Sequence, residues 1–134
     1  MLFKRILASD RAGLPQVSRQ GMGMVGNIAV SEVTVSGTQT LTVAAMSGGC
    51  VYYSALAGAS NVTTPTAAQL LAAAPDMDIG DSFAFWVAIQ DAFAITWVAG
   101  TDVTLLGRPT TLASSSSMIV VTKLSDTTVS WHVL

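Results

Sequence analysis

Charge is what this sequence has least of. Six lysines and arginines and eight aspartates and glutamates make up 10% of its 134 residues, against roughly a quarter in ordinary soluble domains. Cysteine occurs once, as Cys50, and histidine once, as His132. One cysteine excludes an intrachain disulfide and fits synthesis in a reducing cytoplasm. One of each also leaves too few ligands for a zinc site. Hydrophobic residues reach 51% and mean hydropathy is +0.56. Yet no apolar run approaches the about 18 residues that a membrane-spanning helix needs. The N-terminal stretch Met1-Leu-Phe-Lys-Arg-Ile-Leu-Ala is interrupted by Asp10 and Arg11, which argues against a signal peptide.

A domain this apolar and this poor in charge exposes large apolar surface unless something covers it, so the composition predicts assembly with other copies or partners. The charge is also unevenly placed. Residues 1–26 carry Lys4, Arg5, Arg11 and Arg19 against Asp10 alone, a net +3. The rest carries Arg108 and Lys123 against seven acids, a net -5. A basic arm on an acidic body can dock on an acidic partner surface, or serve only as a solubilising tail. Four scattered charges with only Phe3 to stack are too few for a phosphate track, so a nucleic-acid partner is not expected.

Gly13, Pro15, Gly21, Gly23 and Gly26 break any period in residues 1–26, which reads as an arm. The body, 27–134, reads as β. Ser31, Val33 and Val35 alternate with polar neighbours, and Ser36-Gly37-Thr38 is a turn. Leu41, Val43 and Ala45 alternate again, and Cys50-Val-Tyr-Tyr-Ser opens a third strand. One short helix is expected over about 64–74. Thr64 can cap it with Pro65 at the first position, or Thr66 and Gln69 can form a capping box. Pro75 ends it, and Leu70 and Leu71 anchor it. Phe83, Phe85, Val87 and Ile89 then share one strand face, opposite Ala84, Trp86, Ala88 and Gln90. Both faces are apolar, so this strand is central and covered on both sides. Gln90-Asp91-Ala92 is read as its hairpin. Strands at 93–98, 103–106, 118–124 and 128–133 complete an antiparallel β-sandwich or small barrel.

Catalytic equipment is hard to find. His132 lies in Val129-Ser-Trp-His-Val with no motif around Ser130 or Asp126 to supply a nucleophile and an orienting acid. Cys50 reads as a small buried hydrophobe. Asp76, Asp78 and Asp81 superficially match a calcium loop, but the spacing fails after the second acid and no closing Glu follows. They read as a solvated turn. Gly21-Met-Gly-Met-Val-Gly follows no strand and opens no helix, so it is no phosphate loop. Asn61-Val-Thr matches a glycosylation acceptor without any sign of secretion. No metal, cofactor or enzymatic activity is expected. Trp86, Trp97, Trp131, Tyr52 and Tyr53 could present a carbohydrate platform, but such aromatics more often fill cores and subunit interfaces. Trp86 and Trp131 are the candidate subunit contacts.

Ala59 through Thr66-Ala-Ala, the Leu70-Leu71 helix ended by Pro75, Gly80-Asp-Ser-Phe-Ala-Phe, Ile95-Thr-Trp-Val-Ala-Gly and Val103-Thr-Leu-Leu-Gly follow one another in a distinctive order. In that order the chain resembles the capsid decoration proteins of tailed bacteriophages, also called cement or head-stabilising proteins, and the related head-fibre proteins. The match is one of order and spacing. Asp91 stands where such sequences often carry Asn, and the arm is longer and more basic. The resemblance implies a β-rich virion protein, made in the bacterial cytoplasm, homotrimeric, and bound to the outer capsid surface where it bridges major capsid proteins. Lys4, Arg5, Arg11 and Arg19 would then be the capsid-binding residues. The alternative it leaves open is a tail-fibre, spike or baseplate domain that binds host glycans.

Overall fold

The computed structural model describes residues 29–34, 37–54 and 56–134. The basic arm, the expected arm–body boundary, and Val35 and Ser36 of the expected first turn lie outside them. Ten strands and two short helices follow in order: β1 (Ala29–Val33), β2 (Gln39–Thr40), α1 (Val43–Met46), β3 (Gly49–Tyr53), β4 (Ser60–Thr63), α2 (Ala67–Ala73), β5 (Ser82–Ile89), β6 (Ile95–Val98), β7 (Val103–Gly107), β8 (Thr110–Thr111), β9 (Ser116–Lys123) and β10 (Val129–Val133). They build a six-stranded sheet, β1-β3-β5-β9-β10-β7, and a four-stranded sheet, β2-β4-β6-β8.

The chain is mainly β, in two sheets with no closed barrel. The strand directions depart from the expected antiparallel sandwich. β1–β3, β3–β5, β2–β4, β4–β6 and β10–β7 are parallel, while β5–β9, β9–β10 and β6–β8 are antiparallel. The cause is the path of the chain. From β1 to β6 each strand passes to the opposite sheet, so sequence neighbours cannot be ladder neighbours. Each strand pairs instead with the strand after next, which runs the same way. The first six strands form three stacked coils, and β8 and β9 close them with antiparallel partners.

The same path removes the expected hairpin at Gln90-Asp91-Ala92, because β5 and β6 lie in different sheets. That segment is a crossover. The Leu56 N–H donates to Asp91 Oδ2 at 2.7 Å and the Ser114 N–H donates to the Asp91 carbonyl at 3.0 Å. One aspartate thereby ties three connections together at one end of the sandwich.

A second correction falls at Leu41, Val43 and Ala45, whose alternation suggested a strand. The chain forms α1 there. The Thr42 hydroxyl accepts from the Ala45 N–H at 3.2 Å, and Met46 turns into the core. Three alternating positions, one of them alanine, are weak competition for a hydroxyl cap followed by helix-forming residues. The expected helix is α2, and its cap is Thr66. The Thr66 hydroxyl accepts from the Gln69 N–H at 3.2 Å, and Gln69 Oε1 accepts from the Thr66 N–H at 2.9 Å. Ala74, before Pro75, has left the helical region at φ -132° and ψ 63°.

The core lies between the sheets. Val51, Tyr53, Phe85, Val87, Ile89, Ile119, Val121, Val129, Trp131 and Val133 reach in from the larger sheet. Val62, Ile95 and Trp97 reach in from the smaller, with Leu41, Met46, Ala67 and Leu70 closing the sides. Trp131 is the hub. Its ring meets Phe85 edge-on at 5.4 Å and meets Trp97, from the opposite sheet, at 5.4 Å. Trp97 Nε1 donates to Thr111 Oγ1 at 3.1 Å, and Thr111 donates on to Ser117 at 3.2 Å, so these buried polar atoms are satisfied.

Candidate functional site

Strand alternation and register fix what each sheet shows to the outside. On the six-stranded sheet, Val51, Tyr53, Val87 and Ile89 face the core, so Cys50, Tyr52, Trp86 and Ala88 face out. The registers then line up two rows. One runs Val30, Cys50, Trp86, Met118 and continues to Leu134, whose N–H donates to the Met118 carbonyl at 3.0 Å. The other runs Ala84, Val120, His132, Leu106. Glu32 with Tyr52, Ala88 and Ser116 borders one side, and Ser82, Thr122, Ser130 and Thr104 the other. The outcome is a broad sheet face whose only formally charged residue is Glu32, on its edge strand.

This face is open among the described residues. Val30 is 61% exposed, Trp86 37%, Leu106 45% and Leu134 59%. Along β5 the Trp86 indole stands between two alanines, Ala84 and Ala88, and across the sheet it lies between Cys50 and Met118. A large ring therefore projects beside shallow ground. Partial burial pushes the Cys50 thiol above its ordinary value, which favours the neutral form. The outer face of the four-stranded sheet differs: Thr40, Asn61, Thr63, Thr96, Val98 and Thr110 present hydroxyls and one amide, with Val98 the lone apolar side chain.

Of the two tryptophans expected at a subunit contact, the structure brings only Trp86 to the surface. Trp131 is 0% exposed. It belongs to the chain's own core and has no atom to offer a neighbour. The alternation was read correctly on β5, but β10 packs the other face of its strand inward: Val129, Trp131 and Val133 fill the sandwich and His132 looks out. Lys4, Arg5, Arg11 and Arg19 lie outside the described residues.

The remaining candidates resolve into structural roles. His132 stands in register between Val120 and Leu106, with no acid in either position. Asp78 and Asp81 build a turn: the Asp78 N–H donates to Asp81 Oδ2 at 2.9 Å, and the Asp81 N–H to the Asp78 carbonyl at 2.9 Å. Among the described residues no three of His, Cys, Asp and Glu gather as a metal site. No helix there is long and apolar enough to cross a membrane.

Two positions carry more than the sequence suggested. Thr64, 1% exposed, does not cap α2. Its hydroxyl accepts from the Gly100 N–H at 3.0 Å and donates to the Pro65 carbonyl at 2.9 Å, locking the entry of α2 to the β6–β7 connection. A Cβ on Gly100 would fall 2.6 Å from the Thr64 carbonyl oxygen, so this approach requires glycine. Lys123 donates to the Met77 carbonyl at 3.1 Å and pairs with Asp126 at 3.3 Å, pinning the turn before β5 to the end of β9. Both are long-range contacts of ordinary residues, which no local pattern marks.

No family model, no curated protein and no solved structure matches this chain.

Proposed function

We propose that this chain is a non-enzymatic structural protein of a tailed-phage particle, a decoration protein that binds the outer surface of the head and stabilises it by bridging major capsid proteins. The observation that carries the reading is the outer face of the six-stranded sheet. It is wide, nearly free of charge and exposed, on a body whose aspartates and threonines tie loops and turns together. Such a surface suits assembly. The ordered pattern of sequence elements from Ala59 to Gly107 supplies the kind of particle. In this reading Lys4, Arg5, Arg11 and Arg19 meet acidic groups on the shell, and a protein that binds only the assembled shell stabilises it by mass action.

Binding to heads stripped of decoration tests this. The full chain is expected to bind and to raise the temperature at which heads disrupt. A chain lacking residues 1–19 is expected to remain folded and to lose binding, and added salt is expected to weaken the full chain. Equal binding by the truncated chain sinks the role of the arm. Failure of the full chain to bind any head sinks the decoration reading.

A further inference from the structure

We infer that the outer face of the six-stranded sheet is covered in solution by the same face of a second copy of this chain, with Trp86 at the centre of the seam. This rests on the structural reading above only in taking assembly as the working state; the face and its partner follow from the described geometry.

All-parallel sheets occur almost only with both faces covered, whereas antiparallel sheets commonly leave one face to water. Here β1, β3 and β5 run parallel, and the described residues cover only their inner face. The exposed rows Val30-Cys50-Trp86-Met118-Leu134 and Ala84-Val120-His132-Leu106 carry no charged side chain. A charged partner would leave its own ions without counterparts against them, at a desolvation cost. An identical face brings no charge but Glu32, which sits on the edge strand and stays at the rim.

The relief is also self-complementary. Trp86 is a knob flanked along its strand by Ala84 and Ala88. A two-fold axis beside Trp86 sets each indole over the alanines of the other copy, as isologous interfaces require. Size agrees. At about 4.8 Å between strands and 3.3 Å per residue, six strands of five to eight residues span roughly 24 Å by 17–26 Å, a flat footprint of about 400–630 Å² per copy. Side-chain relief raises the accessible area above that footprint. Two copies therefore reach the ~1,000 Å² expected of a specific interface. The outer face of the smaller sheet, with its threonines and Asn61, remains comfortable in water.

The chain supplies its own reporter. Cys50 is its only thiol and stands in register with Trp86. The experiment follows Cys50 alkylation by N-ethylmaleimide in the full chain, from low-micromolar to high-micromolar concentration, alongside sedimentation equilibrium. Expected is a dimer or larger species, with an alkylation rate that falls severalfold as the mass rises. Ala84→Arg, on the exposed face, is expected to stay monomeric and to keep the fast rate at every concentration. Two results overturn the inference: a native chain that stays monomeric throughout, or one that associates while Cys50 reacts at an unchanged rate. Should Ala84→Arg fail to fold, the concentration dependence of the native chain decides alone. None of these results depends on binding to heads, so the interface and the decoration reading fail separately.

Discussion

Tyr53 carries its hydroxyl into the core at 0% exposure, and the oxygen finds no hydrogen-bond partner among the described residues. Trp131 Nε1 is in the same position. A buried polar atom without a partner lowers stability, so deleting it while keeping the ring removes a penalty. Tyr53→Phe is therefore expected to leave stability within about 1 kcal/mol of the native chain or to raise it, read from urea denaturation. Burial also pushes the Tyr53 phenol upward from its ordinary 10.0. The sign of the consequence follows from linkage. Below pH 10 the phenol is neutral in both folded and unfolded chains, and the contribution is whole. Above it the unfolded chain releases a proton that the folded chain keeps, so stability falls by up to about 1.4 kcal/mol per pH unit. Tyr53→Phe is expected to remove that part of the alkaline slope; an identical slope in both proteins would show that Tyr53 does not titrate on unfolding.

At the scale of elements, α2 shows how local chemistry decides a boundary. Thr66 and Gln69 satisfy each other's backbone N–H groups, and Pro75 forbids continuation. Thr66→Ala is expected to cost about 1 kcal/mol, again by urea denaturation, while Thr64→Ala removes a different bond, the one that holds Gly100. This helix was legible because its signals are residue types at fixed offsets. So were most strands, since Phe85, Val87 and Ile89 on β5 show the period of two that a buried face imposes. The direction of pairing was not legible. Alternation says which face a strand buries, but nothing in Cys50-Val-Tyr-Tyr says that its neighbours are 20 residues back and 36 ahead, at Val30 and Trp86. Gln90-Asp91-Ala92 has the composition of a hairpin and serves as a crossover, because a turn's residue types fix its local bend and leave its destination open. For the candidate surface, Trp86 was readable from β5 alone. Trp131 was misplaced because a terminal strand with Ser130 and His132 between large residues permits either face inward.

At the scale of the molecule, two outer faces of one sandwich have been given opposite chemistry. The larger sheet shows Val30, Trp86, Met118, Val120, Leu106 and Leu134; the smaller shows threonines and Asn61. The smaller shows no charged side chain and the larger only Glu32 at its edge, which is how a chain with only 10% charged residues distributes its surface. The acids that exist, such as Asp91 and Asp81, are engaged in turns and crossovers. Under the proposed function, such a surface would discriminate partners by shape and by their tolerance for a dry contact, with the basic residues of 1–26 adding a salt-sensitive attraction.

The alternation of strands between sheets also sets the order in which the molecule can come into being. Among the described strands, β9 and β10 are the only consecutive pair that share a ladder. Every other ladder joins segments separated by further structure, so closing each one costs loop entropy before any contact rewards it, and slow acquisition of the native state follows. β5 waits for β9, which ends at Lys123, and β7 waits for β10, its one partner in the sheet. A nascent chain can therefore close the β1–β3–β5 and β2–β4–β6 ladders early, but β5 lacks its second neighbour and β7 lacks any until residues 116–133 are made. Removing residues 125–134 is expected to abolish protease resistance across the whole body, where loss of a peripheral strand would only trim it. Under the proposed pairing of copies, completion of β10 is also the step that separates folding from premature association.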